Sequence, residues 1–178
     1  NKKKEFDNKG PWAKKGKINE QLLNEFKKDV YFKRQPPKST GTDYFNLKWI
    51  KERISNYNKL ISSTDIQATL TELTADIICT SIKECPKNAS IAFCGGGTKN
   101  NLLMRSIQEK LNNKIYLTTD WGIDSKWVEA AGFAYLSKKR IDTVYSDLRL
   151  VTGSDAPIML GGIFLPPKKI NSEIKRSG

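Results

Sequence analysis

Three consecutive glycines, Gly95, Gly96 and Gly97, follow the apolar run 89–94 and precede a helix-like stretch at 100–111. Glycine takes positive φ without strain and has no Cβ to hold a ligand off the backbone, and a following helix adds free N–H groups at the positive end of its dipole. Strand, glycine turn and helix N-terminus in that order make a seat for a nucleotide, although the same cluster also serves as a tight connection. Neither G-x-G-x-x-G nor G-x-x-x-x-G-K-[ST] occurs in the chain. A second group, Lys38, Ser39 and Thr40, sets a cation and two hydroxyls behind two prolines. Such a loop suits an anionic oxygen group or is a structural turn fixed by its prolines.

Composition removes several other chemistries. The chain has no histidine, which excludes a Ser-His-Asp triad, a Cys-His dyad and a His-containing zinc site within these 178 residues. Cys79, Cys85 and Cys94 are an odd set without metal-ligand spacing and read as reduced core thiols, as in a cytosolic protein. The net charge is +12, with lysine runs at 2–4, 14–15, 138–140 and 168–169. So dispersed a pattern reads as solvated surface rather than a nucleic-acid face, and no RNA- or DNA-binding motif accompanies it. The longest apolar stretch, 158–167, is interrupted by Gly161 and Gly162, which predicts a soluble, cytoplasmic chain with no membrane span. The length fits one domain or half of a two-lobed protein, and a start at Asn1 reads as a fragment.

Elements must position these groups. Ile18, Leu22, Leu23 and Phe26 predict a helix over 17–28 capped by Asn19, and Pro36, Pro37 and Gly41 predict an exposed loop over 31–41. Asp43 or Asn46 caps a helix carrying Trp49, Ile50, Ile54 and Tyr57. The strongest helix starts at Thr64, with Gln67 completing a capping box, runs on Ile66, Leu70, Leu73, Ile77, Ile78 and Ile82, and stops before Pro86. Strands at 90–94 and 115–119 flank the helix 100–111, which predicts a right-handed parallel βαβ unit. A loop at 120–125 leads to a helix over 126–140 whose Val128, Ala131, Phe133, Ala134 and Leu136 face inward; a turn at 151–154 and a strand over 158–165 follow. Asp120 reads as a helix cap, and Trp121 and Trp127 as core. The class is α/β, with ligands expected at the carboxyl ends of the parallel strands.

The string Cys94-Gly95-Gly96-Gly97-Thr98-Lys99-Asn100-Asn101-Leu102-Leu103-Met104, followed by Thr118-Thr119-Asp120, Gly122-Ile123, Glu129-Ala130 and Phe133-Ala134, resembles the C-terminal lobe of anhydro-N-acetylmuramic acid kinase. Phe6-Asp7 with Gly10, Ala13 and Gly16, the Pro36-Pro37-Lys38-Ser39-Thr40-Gly41 loop, the segment 69–75, Val151-Thr152-Gly153 and Leu160-Gly161-Gly162 extend the likeness over nearly the whole chain. Lys126 stands where that family often has aspartate, and Asp124 where proline is common.

The resemblance implies the second lobe of an actin-like ATPase or sugar kinase fold, a parallel βαβ core with several packing helices, and residues 1–178 as that single lobe. It implies ATP and Mg2+ as cofactors and hydrolytic opening and phosphorylation of 1,6-anhydro-N-acetylmuramic acid to the 6-phosphate, a step of cell-wall sugar recycling. Gly95, Gly96, Gly97 and Asn100 would contact the nucleotide. Glu129, with Lys38, Ser39 and Thr40, would contact the sugar, Glu129 being otherwise a first-turn glutamate favoured by the helix dipole. The phosphate loop and catalytic-base segment of the first lobe have no counterpart here, so no catalytic residue and no metal ligand is expected in this chain, which would be inactive alone. A partner lobe, or a homodimer, would cover the face that lobe normally hides. The alternative is a non-catalytic nucleotide- or sugar-binding remnant, and less so a basic nucleic-acid-binding domain.

Overall fold

The ladder of isoleucines and leucines from 66 to 82 does form one long helix, and most of the remaining elements pack on it. The computed structural model describes residues 7, 9–57, 60–86 and 88–165. In chain order these hold α1 (Glu20–Lys27), α2 (Val30–Lys33), α3 (Leu47–Ser55), the long α4 (Ser63–Lys83), β1 (Ile91–Phe93), α5 (Asn101–Lys110), β2 (Ile115–Leu117), α6 (Val128–Ile141) and α7 (Arg149–Thr152). The lysine runs at 2–4 and 168–169, and Phe6, lie outside the described residues.

Helix α4 works on two faces. Leu73 meets Leu22, Leu23 and Phe26 of α1 and Trp49 of α3, while Ala75 and Cys79 meet Leu103, Ile107 and Leu111 at α5, with Phe93 and Ile115 of the strands against them. Its most deeply buried residues are Ala68, Thr69, Thr71, Leu73, Ala75 and Cys79 rather than the isoleucines. Small side chains let neighbouring helices close over them, and the threonine hydroxyls cost little there. Thr69 and Thr71 donate to the carbonyls of Asp65 and Gln67 at 2.7 and 2.9 Å. Each fully buried Leu22, Phe26 or Ile107 contributes about 1.5–3 kcal/mol.

The start of α4 departs from expectation. Ser62, not Thr64, is the cap, accepting from the Asp65 N–H at 3.1 Å, and no capping box with Gln67 forms. The Asp65 carboxylate is used elsewhere, taking the Lys17 N–H at 2.7 Å, because Gly16 lets the N-terminal segment lie against the Thr64 carbonyl where a Cβ would collide. Asn19 and Asn46 cap α1 and α3 as predicted.

Two ionic groups fix the helices. Lys110 of α5 sits 2.5 Å from Glu72 and 2.9 Å from Asp76 of α4, and Lys27 of α1 sits 2.5 Å from Asp76. Hydrogen bonding to Glu72 pushes the Lys110 ammonium further up, keeping it charged. Asp29 has the second role, and its buried carboxylate accepts from Tyr31 N–H (2.8 Å), Tyr44 Oη (2.9 Å), Trp49 Nε1 (2.7 Å) and Arg53 (2.5 Å). By capping Tyr31 it sets up the helical turn α2 over 30–33, of which 31–33 were expected as the start of a loop. Burial pushes the Asp29 carboxyl up, but the bonds from Trp49, Tyr31 and Tyr44 and the Arg53 charge outweigh it and hold it below its ordinary 3.8.

The strands pair in parallel with α5 between them in sequence, Ile91 opposite Ile115 and Phe93 opposite Leu117. The strand expected over 158–165 does not form. After a single antiparallel bridge of Ser146 with Ile158, Gly161 turns the chain at φ +82°. Helix α6 forms, but it has no buried residue and Phe133 is 64% exposed, as are Trp121 (57%) and Trp127 (65%), both expected in the core. Trp121 packs on the Tyr116 ring at 5.6 Å, and Phe133, Leu136 and Ile141 line an open cleft with residues 160–163. Cys79 is a core thiol, whereas Cys85 and Cys94 are exposed, since β1 ends one residue short of Cys94. No described helix is long and apolar enough to cross a membrane.

Removing the Asp29 carboxylate leaves Trp49 Nε1 and Arg53 without their acceptor. Asp29→Ala should cost about 2–4 kcal/mol in urea unfolding. Because the folded carboxyl lies below its unfolded value, its stabilisation is full above about pH 4 and is lost as pH falls through the folded value. The difference between wild type and Asp29→Ala should therefore shrink on acidification below pH 4 or so, and a difference that grows there would contradict the assignment.

Candidate functional site

Parallel pairing puts the carboxyl ends of β1 and β2 on one edge. From β1 the chain passes through Cys94 to Gly95, whose φ of +83° suits glycine, and then makes a 3-10 turn over Gly96–Lys99. Thr98 closes the turn by donating its hydroxyl to the Gly95 carbonyl at 2.7 Å. A Cβ placed at Gly95 or Gly96 would meet no atom within 4 Å, so packing does not demand glycine at Gly96. Gly97 instead faces Leu103.

From β2 the chain makes a 3-10 turn over Thr118–Trp121, where Asp120 accepts from the Leu117 N–H at 2.8 Å, and Gly122 sits at φ +85°. Asp120 thus caps this turn rather than α6. Asp124 accepts from the Lys126 N–H at 2.8 Å, and α6 begins at Val128 with no side-chain cap.

These two loops enclose one cavity of about 350 Å³, lined by Cys94, Gly95, Gly96 and Lys99 from the first and by Ser125, Lys126, Val128 and Glu129 from the second. Gly95, Gly96 and Glu129, drawn from separate stretches of sequence, therefore meet. Lys99, Lys126 and Glu129 have no ion-pair partner among the described residues. Asn100 spends its Oδ1 on the α5 cap, accepting from the N–H groups of Leu102 and Leu103 at 3.2 Å each. That oxygen also lies where a Cβ at Gly10 would collide. The opening N–H groups of α5 are consequently not the free donors expected of this helix end; what stays open is the glycine turn before it.

Lys38, Ser39 and Thr40 lie elsewhere. Lys38 Nζ donates to the Arg34 carbonyl at 2.8 Å, stands over the Tyr31 ring, and lines a groove of about 320 Å³ with Arg34, Thr80 and Glu84. Thr40 lines a separate aromatic groove with Tyr31, Phe45 and Trp49, and Ser39 is exposed. The structure does not bring these three to the glycine cavity. Among the described residues no cluster of three or more acidic, cysteine or histidine side chains could hold a metal.

The family model for anhydro-N-acetylmuramic acid kinase matches residues 1–166, which include both walls of the cavity and the 36–41 loop. The chain belongs to the anhydro-N-acetylmuramic acid kinase family. Curated relatives of that name agree. The chain is 38% identical over 162 residues to the one from Saccharophagus degradans, covering 90% of this chain and 44% of that protein. It is 39% identical over 166 residues to the one from Sulfurimonas denitrificans (89% and 45%) and 36% identical over 170 residues to the one from Pasteurella multocida (94% and 45%). The chain thus spans less than half the length of the curated relatives it matches. Sequence reasoning passed over Lys99, Ser125 and Cys94 as residues of this cavity. Their signal was position: each lies within four residues of Gly96 or Glu129.

The thiols report the local geometry. A maleimide should label Cys85 and Cys94 in the folded chain and Cys79 only in denaturant, since burial pushes the Cys79 thiol up as well as hiding it. Gly95→Ala should lower stability by about 1 kcal/mol through its backbone angle, whereas Gly96→Ala should stay within about 0.5 kcal/mol of wild type. Equal losses would mean that packing, not a ligand, requires the second glycine.

Proposed function

We propose that the chain supplies the nucleotide-side, C-terminal lobe of a two-lobed, actin-like sugar kinase that phosphorylates 1,6-anhydro-N-acetylmuramic acid with hydrolytic opening of its anhydro ring, in the cytoplasm. Family membership supports the reaction. The observation that carries the site is the meeting of Gly95 and Gly96 with Glu129 in one strand-end cavity.

What supports ATP in that cavity is the wall at Gly95 and Gly96, where no side chain stands between a ligand and the backbone. Bound there, ATP supplies the transferable phosphoryl group. The glycine turn lets the nucleotide lie against the backbone, with Gly97 and Asn100 holding the turn and the α5 cap in register behind it. Glu129, on the first turn of α6, accepts hydroxyl hydrogens of the sugar. Lys38, Ser39 and Thr40 are a second sugar contact, reached when the lobes close. No cluster of three or more acidic, cysteine or histidine side chains lies among the described residues, and in this reading magnesium enters with the phosphates. Phosphoryl transfer rests on positioning and charge neutralisation by several groups together. No general base is assigned to this chain, and turnover depends on a partner lobe, which the exposed face of α6 would receive. A second copy could also seat there.

Incubating the chain alone with ATP and 1,6-anhydro-N-acetylmuramic acid should give nucleotide binding without turnover, read by calorimetry and by sugar phosphate formed. ATP should also slow maleimide labelling of Cys94 while leaving Cys85 unchanged. Turnover at the rate of an intact kinase would contradict the half-enzyme reading, and equal protection of both thiols would contradict the location.

A further inference from the structure

We propose that Lys99 and Lys126 form a cation pair that receives the phosphate chain of the nucleotide, an inference that rests on reading this cavity as the nucleotide site. Each lysine comes from a different strand-end loop: Lys99 ends the 3-10 turn after Gly95, and Lys126 lies two residues before α6. Both line the same cavity.

The cations that hold the fold together are already neutralised. Lys27 and Lys110 sit on Asp76 and Glu72, and Arg53 sits on Asp29. Lys99 and Lys126 have no such partner among the described residues. The nearest acidic neighbour in sequence, Asp124, spends its Oδ1 on the Lys126 backbone N–H. Glu129 is the one carboxylate in the lining, so the lining carries two positive charges against one negative. No aromatic ring lines the cavity to stack on a base. Two ammonium groups and the Ser125 hydroxyl beside an open glycine wall suit a ligand with several anionic oxygens. Neutral sugar hydroxyls or a purine would leave both ammonium groups to water, whereas anionic oxygens make charge-assisted hydrogen bonds with them. The carboxylate of Glu129 repels phosphate, which keeps the anionic chain on the lysine side and leaves Glu129 for neutral hydroxyls.

The experiment is calorimetry on the full chain, comparing wild type, Lys99→Gln, Lys126→Gln and the double variant, with Lys48→Gln on α3 as a charge control. Both cavity lysines are exposed, so folding should be untouched, checked by an unchanged melting temperature. Probes are ATP, ADP, adenosine and inorganic tripolyphosphate. Each single change should weaken ATP about five- to tenfold, ADP less, and adenosine under about twofold. Tripolyphosphate should compete with ATP on the wild type and lose that ability in the double variant. Adenosine weakened as much as ATP, or ATP unchanged in the double variant, overturns the pair while leaving the nucleotide site standing. Wild type that binds neither ATP nor adenosine overturns that reading of the cavity, and the pair with it.

Discussion

Parallel pairing of Ile91, Ala92 and Phe93 with Ile115, Tyr116 and Leu117 forces the chain to cross back between two strands, and α5 is that crossover. The consequence is geometric. Two loops that follow different strands must leave the sheet on the same edge, and the glycine turn comes to face the start of α6. An antiparallel pair would have sent them to opposite edges and left no shared cavity. Two three-residue strands cannot hold this arrangement by themselves, so the register depends on what anchors α5.

That anchor is α4. Its small buried residues, Ala75 and Cys79, let Ile107 and Leu111 approach closely, and Lys110 locks the contact on Glu72 and Asp76. The same Asp76 takes Lys27 from α1, so one carboxylate couples the strand-bearing half of the chain to the aromatic half. On that second side Asp29 performs the equivalent task, joining α2, Tyr44, Trp49 and Arg53. A charge inside apolar packing is costly unless fully bonded, and Asp29 has four donors. In the +12 chain Glu72, Asp76 and Asp29 thus tie elements together, while Lys99 and Lys126 have no ion-pair partner among the described residues.

Much of this was legible in the sequence because it was local. Helices α1 and α3 follow from apolar spacing and their asparagine caps, α4 and α5 from apolar spacing, and the two strands with their crossover from short apolar runs around an amphipathic segment. The Thr64 cap was misread because Gly16 and Lys17, some fifty residues away in the chain, decide how the first turn of α4 is used. Helix α2 was missed because its stabilising group, Asp29, gains its value from Trp49 and Arg53. The residues of α6 expected to face inward do not: Ala131, Phe133 and Ala134 are exposed and Val128 and Leu136 only half-buried, because apolar spacing marks a face without saying what packs on it. Of the cavity lining, Gly95, Gly96 and Glu129 were legible as types, whereas Lys99 joins them only when its turn is built. Asn100, a nucleotide contact by resemblance, shows in the structure as the residue that closes the α5 helix end.

The central claim is that both strand-end loops serve one nucleotide. Its most direct measurement is titration of 15N-labelled chain with ATP, following backbone amides of Gly95, Gly96, Lys99, Ser125 and Glu129. The account predicts that these five shift together along one binding curve, while Ser39 and Thr40 stay in place. Shifts confined to one loop, or centred on the 38–40 loop instead, would contradict it.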